Sequence, residues 1–469
     1  MVALCPPQAA AQQAPVLSPA ALKTLRFDEP AKPPPTETTE ASKERRRACP
    51  GCPPRNLLLP YLESLGLNVM YNGINHARGH KTATVGINTW QANLKSGFEW
   101  DVNPWEVNQI GHPYQGSNYF TAGRAHGLTF WEAASVAAFG SATWEFFAEN
   151  NRASLNDLVN TTLGGIALGE VMHRAAWLIR DPSRPRKSRE LIAAAIDPMG
   201  YLARAMSGDA KKPADKPADL IPSSIGSGVT VGVVIQGRSL WESHRTARPY
   251  LEMDLEYGDV KTGRSRIPFG AFTMSFAGGG SRFGQALVRG RLYSRPAGRF
   301  QLTVFQTFDF IVNRAYSFGA QGVELDVATR VGQVSATSLW FSVNGGANIL
   351  GAVDSLIAPP DGTTPVERPE RQYDYGPGGR IGAVVRIERR GRPFLAFDYQ
   401  GYQVSVVDGG RSNHVLQRAA LTLRAPIRHG LSVGLASEIF YRKVFIFHPT
   451  SVRRDESPQF RLFLAWDRR

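Results

Sequence analysis

The sequence predicts a mainly β protein with a helical insert, namely an antiparallel β-barrel of the outer-membrane type with about 12–14 strands and a central segment of two to three helices. Three observations favour this fold. Apolar and polar residues alternate from about residue 226 to the end of the chain. The alternating segments are mostly about eight to thirteen residues long, which is typical of membrane-barrel strands. Aromatic residues lie at segment ends: Tyr257, Tyr293, Trp340, Tyr441 and Trp466.

The alternation has two explanations. A soluble β-domain buries the apolar faces of its strands, whereas an outer-membrane barrel turns them towards lipid and its charged faces towards the lumen. The period of two is unbroken at residues 251–257 and recurs at residues 323–327, 395–400 and 419–424. Strand length and the aromatic ends favour the barrel. The soluble β-domain remains the alternative, and it predicts apolar strand faces that point inward.

The N-terminal region is predicted to lie outside the folded part. Residues 1–15 are interpreted as the remnant of a secretory signal, because small residues at positions 9–11 suit a cleavage site. A basic start and a full apolar stretch are missing, so we expect the true translation start to lie upstream. Residues 16–55 are rich in Pro, Glu, Thr and Lys and are predicted to form a disordered linker. This region contains Cys5, Cys49 and Cys52, for which we expect a short disulfide or unused thiols.

Residues 56–102 are predicted to contribute leading strands to the barrel. β-favouring residues surround Gly86 within residues 82–94 and continue at residues 96–100, with a turn near Lys95.

Residues 103–207 form the predicted helical domain. The apolar run at residues 128–147 is long enough to span a membrane. It contains Glu132 and Glu145, however, and a lipid-exposed helix rarely keeps two carboxylates. We therefore expect a helix that is buried in protein or enclosed in a barrel lumen.

A second helix is predicted to start at Ser154, because Asp157 three residues later completes a capping box. Gly165 and Gly169 lie four residues apart on this helix and would let another backbone approach closely. A third, amphipathic helix is predicted at residues 190–207. Residues 208–225 are predicted to be a flexible linker, and residues 226–469 supply the barrel strands.

The formal net charge is +14 and the sequence pI is about 9.8, which favours an anionic partner. No zinc-finger spacing or RNA-binding signature supports nucleic acid. Membrane lipid is therefore the predicted partner, and a small solute or lipid ligand is left open. The sequence does not predict the oligomeric state.

Three residues of the helical domain are candidates for acid–base catalysis: His112, Glu145 and Asp157. Further polar residues are candidates for ligand binding or for a polar network: Arg124, Ser141, Glu149, Asn160 and Glu170. The alternative for the whole set is a buried polar network that fixes how two helices dock, in which every member needs a partner.

No metal ligand set and no cofactor are predicted. His112 with two carboxylates matches common ligand types, but no H-x-x-x-H or H-E-x-x-H motif fixes two histidines. Glu170 and His173 form one E-x-x-H pair, whereas a di-iron site needs two. Ser141 lacks the glycine spacing of a nucleophile elbow and is expected at a helix contact.

The central stretch resembles the bacterial family called domain of unknown function 3943, over residues 84–180 approximately. The residues that carry the resemblance are Asn103-Pro104, His112-Pro113, Gly116, Tyr119, Ala122, Arg124, Gly127, Trp131, Gly140-Ser141, Trp144-Glu145, Glu149, Ser154, Asn156-Asp157, Gly164-Gly165, Gly169-Glu170 and Arg174. Ala153 departs from the pattern, where a proline is expected. The resemblance implies an envelope-associated, outer-membrane-type protein of a Gram-negative bacterium, and it implies no established activity.

These observations lead to two functional hypotheses. The first is a non-enzymatic outer-membrane barrel with a helical plug or platform, which serves envelope structure or the passage of a solute or lipid. The second is an envelope hydrolase or transferase that acts on lipid or glycan through the His/carboxylate cluster. The predicted location of the protein is the outer membrane, with the periplasm as the alternative. An enzyme needs an open pocket beside His112, whereas a structural network would be sealed and fully paired.

Overall fold

The computed structural model describes residues 55–180, 187–211, 216–237, 245–261, 263, 267–279, 283–355, 372–428, 430–447 and 450–468. The predicted signal remnant, the cysteines and all of the predicted linker except Arg55 lie outside these ranges. Within the described part of the chain, no helix combines the length and the apolar character needed to cross a membrane.

The described strands form one closed antiparallel barrel in which each strand pairs with its neighbours in sequence and β1 pairs with β12. They number twelve among the described residues: β1 (Ile225–Gln236), β2 (Thr246–Tyr257), β3 (Phe272–Gly279), β4 (Gly284–Ala297), β5 (Phe300–Val312), β6 (Ser317–Val334), β7 (Thr337–Asp354), β8 (Tyr373–Arg389), β9 (Arg392–Ser405), β10 (Ser412–Arg428), β11 (Leu431–Phe447) and β12 (Thr450–Arg468). The predicted barrel is confirmed, at the lower end of the expected strand number.

The region before the barrel is helical. Its helices are α1 (Leu59–Ala77), α2 (Ile87–Ser96), α3 (His112–Ala125), α4 (Phe130–Thr143), α5 (Leu155–Val159), α6 (Gly165–Ile179), α7 (Lys187–Ile196) and α8 (Pro198–Met206). Three single π-helical turns interrupt the series, at Val107–Gly111, Trp144–Ala148 and Asn160–Gly164. The helical domain is thus larger than the two to three helices predicted.

The prediction that residues 56–102 contribute leading strands to the barrel is wrong. This segment forms α1 and α2, and its extended contact is the single bridge between Glu99 and Ser154. Thr89 caps the start of α2 through Gly86, accepting a hydrogen bond of 2.9 Å from its backbone N–H. Packing of the helix against the domain overrides the β propensity of residues 82–94.

Contacts across the lumen establish which strand faces point inward. The ring of Phe440 on β11 lies 6.2 Å from Phe283, which precedes β4, and 5.9 Å from Tyr316, which precedes β6. These elements are on the far side of the barrel, so even-numbered residues of β11 face the lumen. The odd-numbered Val433 and Leu435 are exposed outside. Apolar faces therefore point outward, contrary to the soluble β-domain alternative.

The helical domain packs on the outside of the barrel wall. On β5, Ile311 belongs to the luminal cluster, so Phe308 and Gln306 point outward. Phe308 lies in one hydrophobic core with residues of α3, α4 and α6, and Gln306 Nε2 donates to the backbone oxygen of Leu163 at 2.9 Å. The prediction of a plug or a platform at the barrel end is therefore wrong. Alternation identifies the outward residues but does not show that a helix covers some of them.

Apolar and aromatic side chains fill one end of the lumen. They come from strands and connecting turns all around the barrel and form one buried cluster: Val234, Tyr250, Phe283, Ile311, Ala315, Tyr316, Phe318, Ala320, Val353, Tyr402, Val404, Leu416 and Phe440. At the other end, a cavity of about 400 Å³ is lined by charged residues that include Asp254, Arg289, Asp398 and Arg424. The described lumen is thus a blind pocket.

The predicted linker at residues 208–225 is partly built into the fold. Asp219 is buried and accepts a hydrogen bond of 2.9 Å from Arg124. The Tyr257 hydroxyl donates to the backbone oxygen of Leu220 at 2.7 Å. This segment therefore ties the helical domain to β2 before the chain enters the barrel, and the prediction of flexibility is wrong for these residues.

Candidate functional site

The polar residues at the centre of the helical domain lie beside the three π-helical turns. Val107–Gly111 ends directly before His112, Trp144–Ala148 contains Glu145, and Asn160–Gly164 begins three residues after Asp157. A π turn adds one residue to a helical turn and redirects the side chains next to it, and such turns are frequent at functional sites. The three turns therefore orient the candidate side chains towards one point.

Glycines allow the helices to approach closely enough to form this point. A Cβ atom on Gly116 of α3 would lie 3.0 Å from the Cα of Gly165 on α6 and even closer to the backbone oxygen of Thr161. A Cβ on Gly165 would lie 2.6 Å from the Cα of Gly116. The close helix crossing predicted from Gly165 is thus observed, with Gly116 as its counterpart.

His112 and Asp157 form the centre of an acid–histidine cluster. His112 Nε2 lies 3.6 Å from Asp157 Oδ1, and His112 Nδ1 lies 3.2 Å from the hydroxyl of Thr161. One ligand atom from each of Asp101, His112 and Asp157 lies within 4.8 Å of the others. Burial lowers the pKa of His112, although the charges of Glu149 and Asp101 oppose this effect.

Two glutamates complete the cluster. Glu145 Oε2 accepts a hydrogen bond of 2.8 Å from the backbone N–H of Ser154, which fixes the turn between α4 and α5. Burial and the charge of Asp157 hold the pKa of Glu145 well above its usual range. Burial raises the pKa of Glu149 to about 7 despite the opposing influence of His112. Burial and the charge of Asp101 also raise the pKa of Asp157.

Asparagine side chains connect the cluster to the barrel wall. Asn108 Nδ2 lies 3.1 Å from Asp101 Oδ2 and donates to the hydroxyl of Tyr373 at 2.6 Å. Asn156 Nδ2 donates to Asp157 Oδ1 at 2.7 Å and lies 3.1 Å from the hydroxyl of Tyr375. Tyr373 and Tyr375 are outward-facing residues of β8, so the cluster lies close to the interface between helices and barrel.

A second, separate cluster is centred on Glu170. Its two carboxylate oxygens accept from Arg124 Nε and Arg174 Nε, both at 2.7 Å. Arg124 also pairs with Asp219 at 2.9 Å. Two guanidinium groups thus balance two carboxylates, as a buried ionic network requires. His112 and Arg124 are twelve residues apart on α3, or about 18 Å, so the two clusters are distinct.

The structure brings His112, Glu145, Asp157 and Glu149 together as candidates of one site. Arg124 and Glu170 belong to the second cluster. Ser141 donates to the backbone oxygen of Leu158 at 3.3 Å, the helix contact expected for it, and Asn160 Nδ2 donates to the backbone oxygen of Asn108 at 3.1 Å.

Sequence reasoning missed Asp101, Asn108 and Thr161 at the first cluster, and Arg174 and Asp219 at the second. Asp101 lies two residues before Asn103, with which the matched residues begin, and Thr161 is next to the candidate Asn160. Their closeness in sequence to matched or candidate residues was the signal that could have identified them. No signal of this kind marked the tyrosines of β8.

The central residues of the first cluster are buried but not fully paired. His112 is 6% exposed, and Glu145 and Asp157 are each 2% exposed. Among the described residues, His112 Nε2, Glu145 Oε1 and Asn108 Oδ1 are buried without a hydrogen-bond partner. A substrate pocket would be open and a purely structural network would be satisfied. The geometry therefore agrees fully with neither alternative.

Residues 97–199 match the family model described as Domain of unknown function (DUF3943). This stretch is similar to that family. The resemblance read from the sequence is thereby confirmed. The DUF3943 match covers the three π turns, helices α3 to α7 and the first two residues of α8. It also contains the helical-domain residues of both clusters, except Asp219.

The barrel is similar to known outer-membrane proteins at low scores. An anion-selective porin from Comamonas acidovorans is 7% identical, covering 52% of this chain and 99% of its own, with a TM-score of 0.22. The outer membrane protease OmpT from Escherichia coli is 8% identical, covering 52% and 96%, with a TM-score of 0.19. The barrel itself is established by its closed strand pairing. No curated protein matches the chain.

Proposed function

We propose that this protein is an integral outer-membrane protein whose barrel holds the DUF3943 helices against its outer wall, and whose lumen binds a small polar solute without conducting it. The observation that carries the proposal is the distribution of polarity. Exposed apolar side chains cover the outside of the free strands, as at Leu462, Leu464 and Trp466 of β12, while ion pairs such as Arg418 with Glu438 lie inside. Lipid is the solvent in which this arrangement is stable.

The helical domain has the same inverted polarity. On α1, Ser64 and Asn68 are buried against the domain, whereas Leu62 and Val69 are 52% and 74% exposed. Asn68 Nδ2 donates to Thr143 of α4 at 2.9 Å. Polar side chains at helix contacts and apolar ones outside are typical of helices in lipid. This supports a helical domain that lies in the membrane beside the barrel without spanning it.

The barrel termini define the proposed orientation. Two-residue turns connect β4 to β5, β6 to β7 and β8 to β9, at the end where β1 begins and β12 ends. Short turns and chain ends are typical of the periplasmic end of bacterial barrels. The charged cavity opens at this end, and the aromatic cluster closes the outer end. A pocket that is closed towards the outside supports solute binding from the periplasm rather than passage.

The test is conductance in planar lipid bilayers. We expect the purified protein to partition with outer membranes, to show heat-modifiable gel mobility and to give no steady conductance. A variant with Phe318→Ala, Tyr402→Ala and Phe440→Ala should conduct, because it removes the luminal cluster. Substitution of the outward Phe397, Leu421 and Leu462 by Ala is the matched control and should not conduct. Steady conductance of the unmodified protein would contradict the blind pocket.

The second candidate function is an envelope hydrolase or transferase that acts on lipid or glycan. The convergence of His112, Glu145 and Asp157 favours it, whereas their burial opposes it because a substrate needs access to the reacting groups. Turnover of phospholipid vesicles or of a glycan by the purified protein, abolished in His112→Gln, would establish this alternative. Absence of turnover with both substrates, in protein that passes the gel-mobility test, would favour the non-enzymatic role.

A further inference from the structure

The acid–histidine cluster differs from the Glu170 cluster in its charge balance. Glu145, Glu149 and Asp157 surround His112, and among the described residues no arginine or lysine forms an ion pair with any of these three carboxylates. The Glu170 cluster, by contrast, contains two arginines for two carboxylates. Buried carboxylates require a compensating charge or a proton. A bound cation would supply the compensating charge that no arginine or lysine of the described residues provides through an ion pair to these three carboxylates.

The free nitrogen of His112 is placed to bind such a cation. Its Nδ1 lies at hydrogen-bond distance from the Thr161 hydroxyl, 3.2 Å away. Its Nε2 is buried, has no hydrogen-bond partner among the described residues, and lies 3.6 Å from Asp157 Oδ1. A tetrahedral ion with bonds of about 2.1 Å separates its ligand atoms by about 3.4 Å. The spacing of these two atoms is thus close to that of two ligands on one ion.

We propose that Asp101, His112 and Asp157 bind one divalent transition-metal ion of the Zn²⁺ class. One oxygen or nitrogen from each lies within 4.8 Å of the others, so a small inward movement of Asp101 completes a three-ligand set. The imidazole ligand favours Zn²⁺ and similar ions over Mg²⁺ and Ca²⁺, which prefer oxygen ligands. Asp101 is only partly buried and provides the side from which an ion enters.

The residues around the three ligands hold them in place. Asp101 Oδ2 accepts from the backbone N–H of Asn103 at 2.8 Å, and Asn156 holds Asp157 Oδ1. Thr161 is the positioning residue for His112. Such outer partners orient the ligands of metal sites and tune metal affinity. Asn108 and Asn156 also contact β8. The ion would therefore connect two elements close to the barrel wall, namely the segment that precedes α3 and helix α5.

The test uses the full chain, purified in detergent, stripped with a chelator and titrated with Zn²⁺ by calorimetry. We expect saturable binding with one ion per chain, and visible d–d absorption when Co²⁺ replaces Zn²⁺. His112→Gln and Asp157→Asn should abolish binding, and Thr161→Val should weaken it about tenfold to a hundredfold. His173→Gln is the matched control, because His173 is also buried beside a carboxylate, Asp197, but outside the cluster.

Heat-modifiable gel mobility and the helical circular dichroism signal verify that each variant is folded. Lack of saturable Zn²⁺ and Co²⁺ binding by the unmodified protein would overturn the proposal without the use of any variant. Binding that survives in both folded His112→Gln and folded Asp157→Asn would overturn it as well. The proposal does not depend on the membrane role, because conductance and metal binding are measured separately.

Discussion

At the scale of single residues, small side chains decide whether the helical domain can assemble. Gly116 and Gly165 face each other at the crossing of α3 and α6, where each occupies the space of the other's missing Cβ atom. This contact brings His112 on α3 within reach of Asp157 and Thr161. The candidate site thus depends on a packing contact between two glycines, which have no functional groups of their own in the site.

Replacing Gly116 by Ala should destabilise the helical domain by about 1–3 kcal/mol, because the new methyl group forces the two backbones apart. The measurement is the urea midpoint of the helical circular dichroism signal. Gly66 of α1 is the matched control, since a Cβ atom there meets nothing within 4 Å. Gly66→Ala should stabilise the domain by about 0.5–1 kcal/mol. Equal shifts for the two variants would contradict the close crossing.

The sequence was informative about which residues of the site are unusual, and less so about how they pair. His112, Glu145 and Asp157 were predicted together and are together. Arg124 and Glu170 were candidates as well, but they form a separate cluster, because Arg124 lies about 18 Å further along α3 and Glu170 lies on α6. Spacing along a helix cannot assign residues to separate clusters when partners come from distant segments, as Asp219 and Asp101 do.

At the scale of elements, helices α6 and α8 are joined by a buried pair. His173 Nδ1 lies 2.9 Å from Asp197 Oδ2, and Asp197 caps α8 by accepting from the N–H of Gly200 at 2.8 Å. Burial lowers the pKa of His173 despite the opposing influence of Asp197. Burial alone would raise the pKa of Asp197, but the hydrogen bond and charge of His173, together with Arg180, leave it below its ordinary value.

This pair contributes stability to the helical domain that is lost at acid pH. Both groups have lower pKa values in the folded than in the unfolded chain, so the unfolded chain binds more protons as the pH falls. The contribution of His173 is complete above about pH 6.5 and is lost as the pH falls towards its folded pKa; that of Asp197 is lost below about pH 3.8.

The measurement is the urea midpoint of the helical signal at pH 7 and at pH 5. Acidification should lower the midpoint of the unmodified protein relative to that of His173→Gln, which cannot take up a proton in the unfolded state. Both proteins keep Glu145, Glu149 and Asp157, so the opposite effect of their raised pKa values cancels in this comparison. His76→Gln, an exposed substitution on α1, is the control and should behave as the unmodified protein. The same change of midpoint in His173→Gln as in the unmodified protein would contradict this account of the pair.

Elements differ in how well the sequence predicts them. Strands with strict alternation, such as β2 and β12, were recognised because each has one apolar outward side and one polar luminal side. Helix α2 was mistaken for a strand because its exposed residues, Ile87, Trp90 and Leu94, are apolar. The rules for helices in soluble proteins expect apolar residues on the buried face and polar residues on the exposed face. They therefore fail to predict helices that bury polar side chains and expose apolar ones.

At the scale of the whole molecule, the barrel wall has two kinds of outer surface. Part of it, including Ala286, Val288, Phe308 and Tyr257, is buried beneath the helical domain. The rest, on β9 to β12 and β1, exposes apolar side chains. Both kinds read as the same alternating pattern in the sequence. For this reason the barrel was predictable, whereas the place where the helices dock was not.

The central claim, that the DUF3943 helices dock on the outside of the wall, is tested most directly by a disulfide. A Cβ atom on Gly319 would point outward from β6 and lie 3.0 Å from Cγ of Gln109, close enough for two cysteines. In a background with Ser at positions 5, 49 and 52, we predict that Gln109→Cys with Gly319→Cys forms a cross-link under mild oxidation. Gln109→Cys with Ala320→Cys, on the luminal face, should not. Cross-linking of the luminal pair instead of the outward pair would contradict the account.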